Sequence, residues 1–318
     1  MDSKRLGKKS FWARLKEERY LQFMALCGVI WMLVFNYAPM YGIIIAFKRN
    51  YRITESLFSV KFLKSAWAES YGFQHFIAFL QDEEFWNILI NTLGISLLKL
   101  AISFPLPIFF ALLLNELRNQ KFKSVVQTIS YLPHFLSWVV LGGILSTWLS
   151  DTGFFNDLLI KCGLLKEGIT FLAYPQYFWW IVVLSDVWKE MGWSAIIYLA
   201  AISGIDQELY EAARVDGAGR FRQMTAITLP SIKGTIAILF ILAVGGLLNS
   251  NFDQILVLWN PLNASRSNVI DIYTYNVAMK SMRFSYAAAI GLFKSVFAFI
   301  LLFIANKVTQ KLNDVSLF

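Results

Sequence analysis

The sequence predicts an all-α integral membrane protein with six transmembrane helices. Three observations carry that prediction. Charged residues make up only 16% of the 318 positions and hydrophobic residues 57%, whereas a soluble domain carries about 25% charged residues. The mean hydropathy is +0.53. The apolar residues also gather into six long runs, at 21–47, 86–114, 125–149, 176–201, 232–258 and 286–306. A helix needs about 20 apolar residues to cross a hydrocarbon core of ~30 Å.

The first run follows a basic head, SKRLGKKSFWARLKEER. Its charge is like that of a secretory leader, but the apolar run is too long and has no small-x-small cleavage site, so it is expected to stay as a helix. Segment 1–20 is read as a basic cytoplasmic tail and 21–318 as one membrane domain without internal repeats. Between the first two runs lies an amphipathic stretch, FLKSAWAESYGFQHFIAFLQDEEF, expected as a surface helix at the membrane interface. The second and sixth runs each hold a lysine, Lys99 and Lys294. Either could attract an anionic substrate, snorkel, or pair with an acid of a neighbouring subunit.

The fourth run carries Asp186, Lys189, Glu190 and Trp193 at helix spacings that share one face. Ionisable groups inside a membrane are costly and mark functional sites by default. Polar edges beside an indole suit a sugar, with hydrogen bonds for hydroxyls and a flat apolar ring for the pyranose face. The bland alternative is an internal Asp186–Lys189 or Lys189–Glu190 ion pair. The fifth run holds Asn249, Ser250, Asn251 and Asp253 in an otherwise apolar helix. Asn249 and Asn251 are candidates for the substrate pathway, with interhelical hydrogen bonding as the alternative. Trp86, Trp148, Tyr177, Trp179 and Trp259 near the run ends suit an interfacial belt.

Lysine and arginine counts orient the chain. With the N-terminus inside, the cytoplasmic segments hold 16 and the longer outer loops 10, with three more inside spans. Both termini and the segment around Glu211 are therefore expected in the cytoplasm. The net charge of +8 fits loops facing anionic lipid rather than nucleic acid, because the basic residues are scattered among apolar runs.

Several chemistries are disfavoured. Cys27 and Cys162 form no CxxC, so neither a disulfide framework nor a metal site is expected. His75 and His134 are isolated and read as packing residues, and no nucleophile–base arrangement or cofactor site can be built around them. Asn263-Ala264-Ser265 fits a glycosylation sequon, a weak pattern. No GxxxxGK[ST] phosphate cradle occurs anywhere in the chain.

The most informative stretch is Glu211–Pro230, EAARVDGAGRFRQMTAITLP, a polar interruption between the fourth and fifth runs. Glu211 is expected at the start of a polar helix. Small Ala212 and Ala213 permit close approach of another surface, and Gly217, after Asp216, lets the chain bend between two short helices. Ile227, Leu229 and Pro230 close the segment, with Pro230 expected in the first turn of the fifth span.

Glu211, Ala212, Ala213, Gly217, Ile227, Leu229 and Pro230 stand at the spacing of the EAA loop, and the segment resembles that loop of ABC importer permeases. The approach GIDQELYEAARVDGAGRF, with YGFQHFIAFLQDEEFWNILINTLGIS, DTGFFNDLLIKCGLL and VWKEMGWSAIIYLAAI, is similar to the carbohydrate-uptake branch. FNYAPMYGIIIAFK resembles permeases for fragments of complex polysaccharides. The resemblance implies a type I importer permease (MetI-like) fold in a bacterial cell membrane, with no enzymatic activity of its own. It implies import of oligosaccharides, acidic ones included, with a second, similar permease, two ATP-binding subunits and an extracytoplasmic solute-binding protein as partners. It further implies that 211–230 couples to the ATP-binding subunits and favours Asp186, Glu190 and Trp193 as sugar contacts. The alternatives are the same architecture serving glycerol phosphate or polyamine, or a secondary transporter.

Overall fold

The computed structural model describes residues 18–313, so all but the last three residues of the basic tail expected over 1–20 lie outside it. The described residues are helical apart from their connections and one isolated β-bridge, between Lys48 and Trp67. Six segments among the described residues are long enough to cross a membrane. Three are apolar helices, Arg19–Phe47, Phe85–Asn115 and a last one over Phe284–Asn313. Two are bent pairs, and the sixth, Pro175–Ser203, has 29 residues and so reaches about 43 Å at 1.5 Å per residue. Its three charges set it apart from the others.

Prolines explain the irregularities of the first two spans. Pro39 has no N–H for the carbonyl four residues before it, and the first span widens into a π turn over Leu33–Tyr37. The second span breaks stride at Ser103–Phe104, just before Pro105 and Pro107.

Two expected spans are corrected. Run 125–149 is not one straight helix: Gln120–Phe135 and Trp138–Trp148 meet at 100°. The local sequence holds both a stop and a start, because Pro133 tightens the end of the first piece and the Ser137 hydroxyl caps the second by accepting from the Val140 N–H. Run 232–258 is also divided. The fifth span begins earlier, as Arg220–Ser231, bends 61° at Ile232 and continues as Lys233–Gly245. Residues 246–251 then leave the helix, and Phe252–Leu258 forms a separate short helix packed on Trp138–Trp148. Asn249, Ser250 and Asn251 therefore sit in a break rather than in a helix, with Asn251 left-handed at φ 59°, a conformation asparagine tolerates.

The bundle packs around the fourth span. Ile95, Trp138, Leu141, Phe178, Val182 and Ile255 bring the second span, the broken third, the fourth and the short helix into one core. Toward the other end, Ala111, Leu112, Ala195, Tyr198, Ile202 and Ile232 join the second, fourth and fifth spans. Gly192 lets the third and fourth spans meet closely, because a Cβ there would overlap the Ser130 carbonyl of the third span.

The segment expected as one amphipathic surface helix is instead Val60–Lys64 and Gln74–Leu80, separated by a turn in which Ser70, Tyr71 and Gly72 all have positive φ. Its Phe62 and Phe79 are buried, so the segment folds onto the bundle rather than lying flat on lipid. Lys48 is buried beneath it and donates to the carbonyls of Leu63 and Ser65. Asp82 accepts from the hydroxyls of Tyr273 (2.5 Å) and Tyr286 (3.0 Å), tying this segment to helix Ile270–Met279 and the start of the sixth span. Asn263 is fully buried and donates to the carbonyls of Leu172 and Leu258. The sequon at Asn263 is thereby overturned as a glycosylation site.

Candidate functional site

The charges of the fourth span are arranged in two groups. Lys99 of the second span reaches Asp186 at 2.9 Å and donates to the Gln254 amide oxygen at 2.7 Å. Gln254 in turn donates to the Val182 carbonyl and the Ser185 hydroxyl. This clasp joins the second span, the fourth span and the short helix Phe252–Leu258. The Asp186–Lys189 pair weighed from sequence does not form, and Lys99 has its acid within this chain rather than in a neighbour. Lys294 likewise pairs with Asp271 at 2.5 Å.

The second group holds the 100° break of the third span. Lys189, which is buried, donates to the His134 carbonyl and lies 3.4 Å from Glu190. Glu190 lies 2.7 Å from His134 Nδ1, and the His134 ring stacks on Trp193 at 4.3 Å and 2°. The histidine read as an isolated packing residue thus meets three side chains of the fourth span. Sequence spacing placed Lys189, Glu190 and Trp193 together, but nothing in it pointed to His134.

Beside these groups runs a groove made of two adjoining clefts. One, of about 250 Å³, is lined by Ser96, Lys99, Ser103, Phe104, Gly246 and Asn249 among others. The other, of about 210 Å³, shares Ser103 and Phe104 and ends on Trp193, Ser194 and Tyr198. The hydroxyls of Ser96 and Ser103 are buried in the groove's wall without a partner among the described residues, and the groove itself presents Lys99, Asn249, an indole and a phenyl ring. Of the sequence candidates, Asn249 and Trp193 line it. Asp186 pairs with Lys99 at its wall, while Lys189 and Glu190 hold His134 at the break of the third span. Asn251 is not a lining residue and instead makes the left-handed turn that starts the short helix. Ser96 and Ser103 were missed, because single serines in an apolar run give no periodic signal.

The interruption after the fourth span folds as two helices. Gln207–Val215 is capped by Asp206, which accepts from the Glu208 N–H. Glu211 is the fifth residue of this helix rather than its start, and Ala212 and Ala213 follow within it. Gly217 adopts φ +75°, and the Ala218 N–H closes back on the Ala213 carbonyl at 2.8 Å, as helix ends with a left-handed residue do. Arg220–Ser231 then returns, and the hydroxyls of Tyr210 and Thr228 tie the two helices at 2.8 Å. Pro230 lies inside this second helix, two residues before the bend, not in the first turn of the membrane-crossing piece. The π turn over Met224–Thr228 just before it relieves the loss of its N–H. Glu211 and Ala212 are exposed, and Val215 and Phe221 are 89% and 74% exposed beside them. Large apolar groups on a polar protrusion mark an interaction surface.

Six membrane-crossing helices, a paired-helix protrusion and a groove between the second, fourth and fifth spans define a transport subunit. Residues 103–314 match the family described as the binding-protein-dependent transport system inner membrane component, and the chain belongs to that family. It is 41% identical over 316 residues to the polygalacturonan/rhamnogalacturonan transport system permease protein YteP of Bacillus subtilis (strain 168), covering 99% of this chain and 95% of that protein. Among solved structures it is similar to a bacterial ABC transporter involved in the import of the acidic polysaccharide alginate, with a TM-score of 0.83 and 36% identity over 95% of this chain and 99% of that one. The alginate transporter in complex with alginate pentasaccharide-bound periplasmic protein matches with a TM-score of 0.84 and the same identity, over 96% and 99% of the two chains. The chain is thus an ABC importer permease, an inner-membrane component and not an enzyme.

Proposed function

We propose that this permease imports oligosaccharides derived from polysaccharides, acidic ones included. The observation that carries the reading is the end-to-end similarity to YteP and to the alginate importer, joined to a groove lined by Lys99, Asn249 and aromatic faces that suit a sugar. Trp193 and Asn249 contact the passing sugar. Asp186 holds Lys99 at the wall, Lys189 and Glu190 fix the hinge that carries His134, and Asn251 sets the turn behind the groove.

The groove lies along one chain, so a second, homologous permease completes the passage. Residues 211–230 couple the 21–318 membrane domain to two ATP-binding subunits, with Glu211, Ala212, Ala213, Asp216 and Gly217 on the docking helix and turn and Leu229 and Pro230 just before the bend of the fifth span. Closure of the ATP-binding subunits moves this helix pair as a rigid body, and the 61° bend passes the motion to Lys233–Gly245. An extracytoplasmic solute-binding protein delivers the sugar from the other side. Both termini lie in the cytoplasm, a reading supported by the lysine and arginine bias.

Affinity purification of the full chain from its native membrane, followed by mass spectrometry, tests the assembly. An ATP-binding subunit and a second permease in stoichiometric amounts are expected. Recovery of the chain as a homo-oligomer free of any ATP-binding protein sinks the proposal.

A further inference from the structure

Where the paired helices meet the bundle there is a polar cavity of about 690 Å³ that the groove and the docking surface do not use. One wall is the bundle: Glu116 and Arg118 just past the second span, and Ser203 at the end of the fourth. The other is the helix pair, with Arg214, Gly219 and Arg220. Three guanidinium groups face one carboxylate, an excess of two positive charges. Arg220 stands 4.0 Å from Glu116, and Arg214 gives only its Nε–H to the Tyr210 carbonyl at 3.3 Å, so most of their donors are uncommitted. Guanidinium forks match phosphate oxygens two at a time, and an excess of two suits a doubly charged phosphate better than a carboxylate.

We propose that this cavity is a binding site for phosphate carrying two negative charges in all, on one monoester or on two neighbouring diesters, which bridges the helix pair to the bundle. Two sources share that chemistry. Ser203 closes a span and Glu116 follows one, so the cavity stands at headgroup depth, where a lipid with two phosphates fits. A soluble phosphate ester reaches it from the aqueous side. The site itself does not rest on what docks at Glu211, so it stands or falls separately from the coupling role.

Binding of cardiolipin and of glucose 1-phosphate to the purified full chain, each measured separately by native mass spectrometry, tests the site. The wild type is expected to hold at least one probe tenfold or more tighter than R118Q/R214Q/R220Q. E116Q, which removes the competing carboxylate, is expected to bind several-fold tighter than wild type, a gain that misfolding cannot produce. Cardiolipin bound and glucose 1-phosphate ignored assigns the lipid source, and the reverse assigns the soluble ester. Equal binding by wild type and the triple variant, or binding of neither probe, overturns the site.

Discussion

Removing either partner of the Lys99–Asp186 clasp leaves a charge stranded among apolar helices. The two side chains are only 15% and 13% exposed and stand 2.9 Å apart. At an effective dielectric near 20 the attraction at that distance is about 6 kcal/mol, and desolvation of both ions offsets much of it. The net value of the pair is therefore small, but loss of one partner costs about 3–5 kcal/mol, because the other charge stays buried. K99M and D186L are each expected to lower the thermal unfolding midpoint in nanodiscs clearly, followed through the fluorescence of the 11 tryptophans. K99M/D186L removes both charges and is expected to recover most of that loss. A double variant whose loss equals the sum of the singles refutes the coupling, as do singles that leave the midpoint unmoved.

Three further outcomes follow from the same structure. G192A places a methyl against the Ser130 backbone, so the third and fourth spans must separate; a destabilisation of about 1–3 kcal/mol is expected in the same unfolding measurement. Burial works to raise the Asp82 carboxyl, but hydrogen bonds from Tyr273, the Glu84 N–H and Tyr286, with the charge of Arg283, outweigh it and hold the pKa below the usual carboxylate value. A lowered folded-state pKa adds stability that is present above the unfolded value and lost as pH falls through the folded one. The midpoint gap between wild type and D82N is thus expected to be full near neutral pH and to narrow below about pH 4; a gap constant with pH contradicts it. G217A forces a Cβ into a left-handed residue at a cost of about 1–2 kcal/mol, and faster proteolysis between the two helices in the full chain is the expected readout.

Much of the architecture was legible because bilayer thickness acts on sequence directly: an apolar run of 20 or more residues announces itself whatever it packs against. The helix–turn–helix at 211–230 was legible for a related reason, since Gly217 and the clustered polar residues have few other uses between two spans. The breaks were harder. Pro133 and Ser137 signal a stop and a cap, but they sit inside an apolar run whose hydropathy hides a 100° turn. The fifth span was misplaced because hydropathy counts Ile255–Leu258 as membrane helix and Arg220–Gln223 as loop, while packing on Trp138–Trp148 decides otherwise. The groove was legible only on one side. Periodicity placed Asp186, Lys189, Glu190 and Trp193 on one face, but their partners Lys99 and His134 are 87 and 55 residues away, and no local pattern reports a contact at that separation.

The most direct test is uptake of oligogalacturonate into proteoliposomes holding this chain with its co-purifying permease and ATP-binding subunits, supplied with the solute-binding protein. Uptake that requires ATP, and that E211A abolishes while leaving the assembly intact, is the expected result. Uptake driven by an ion gradient without ATP, or undiminished in E211A, contradicts it.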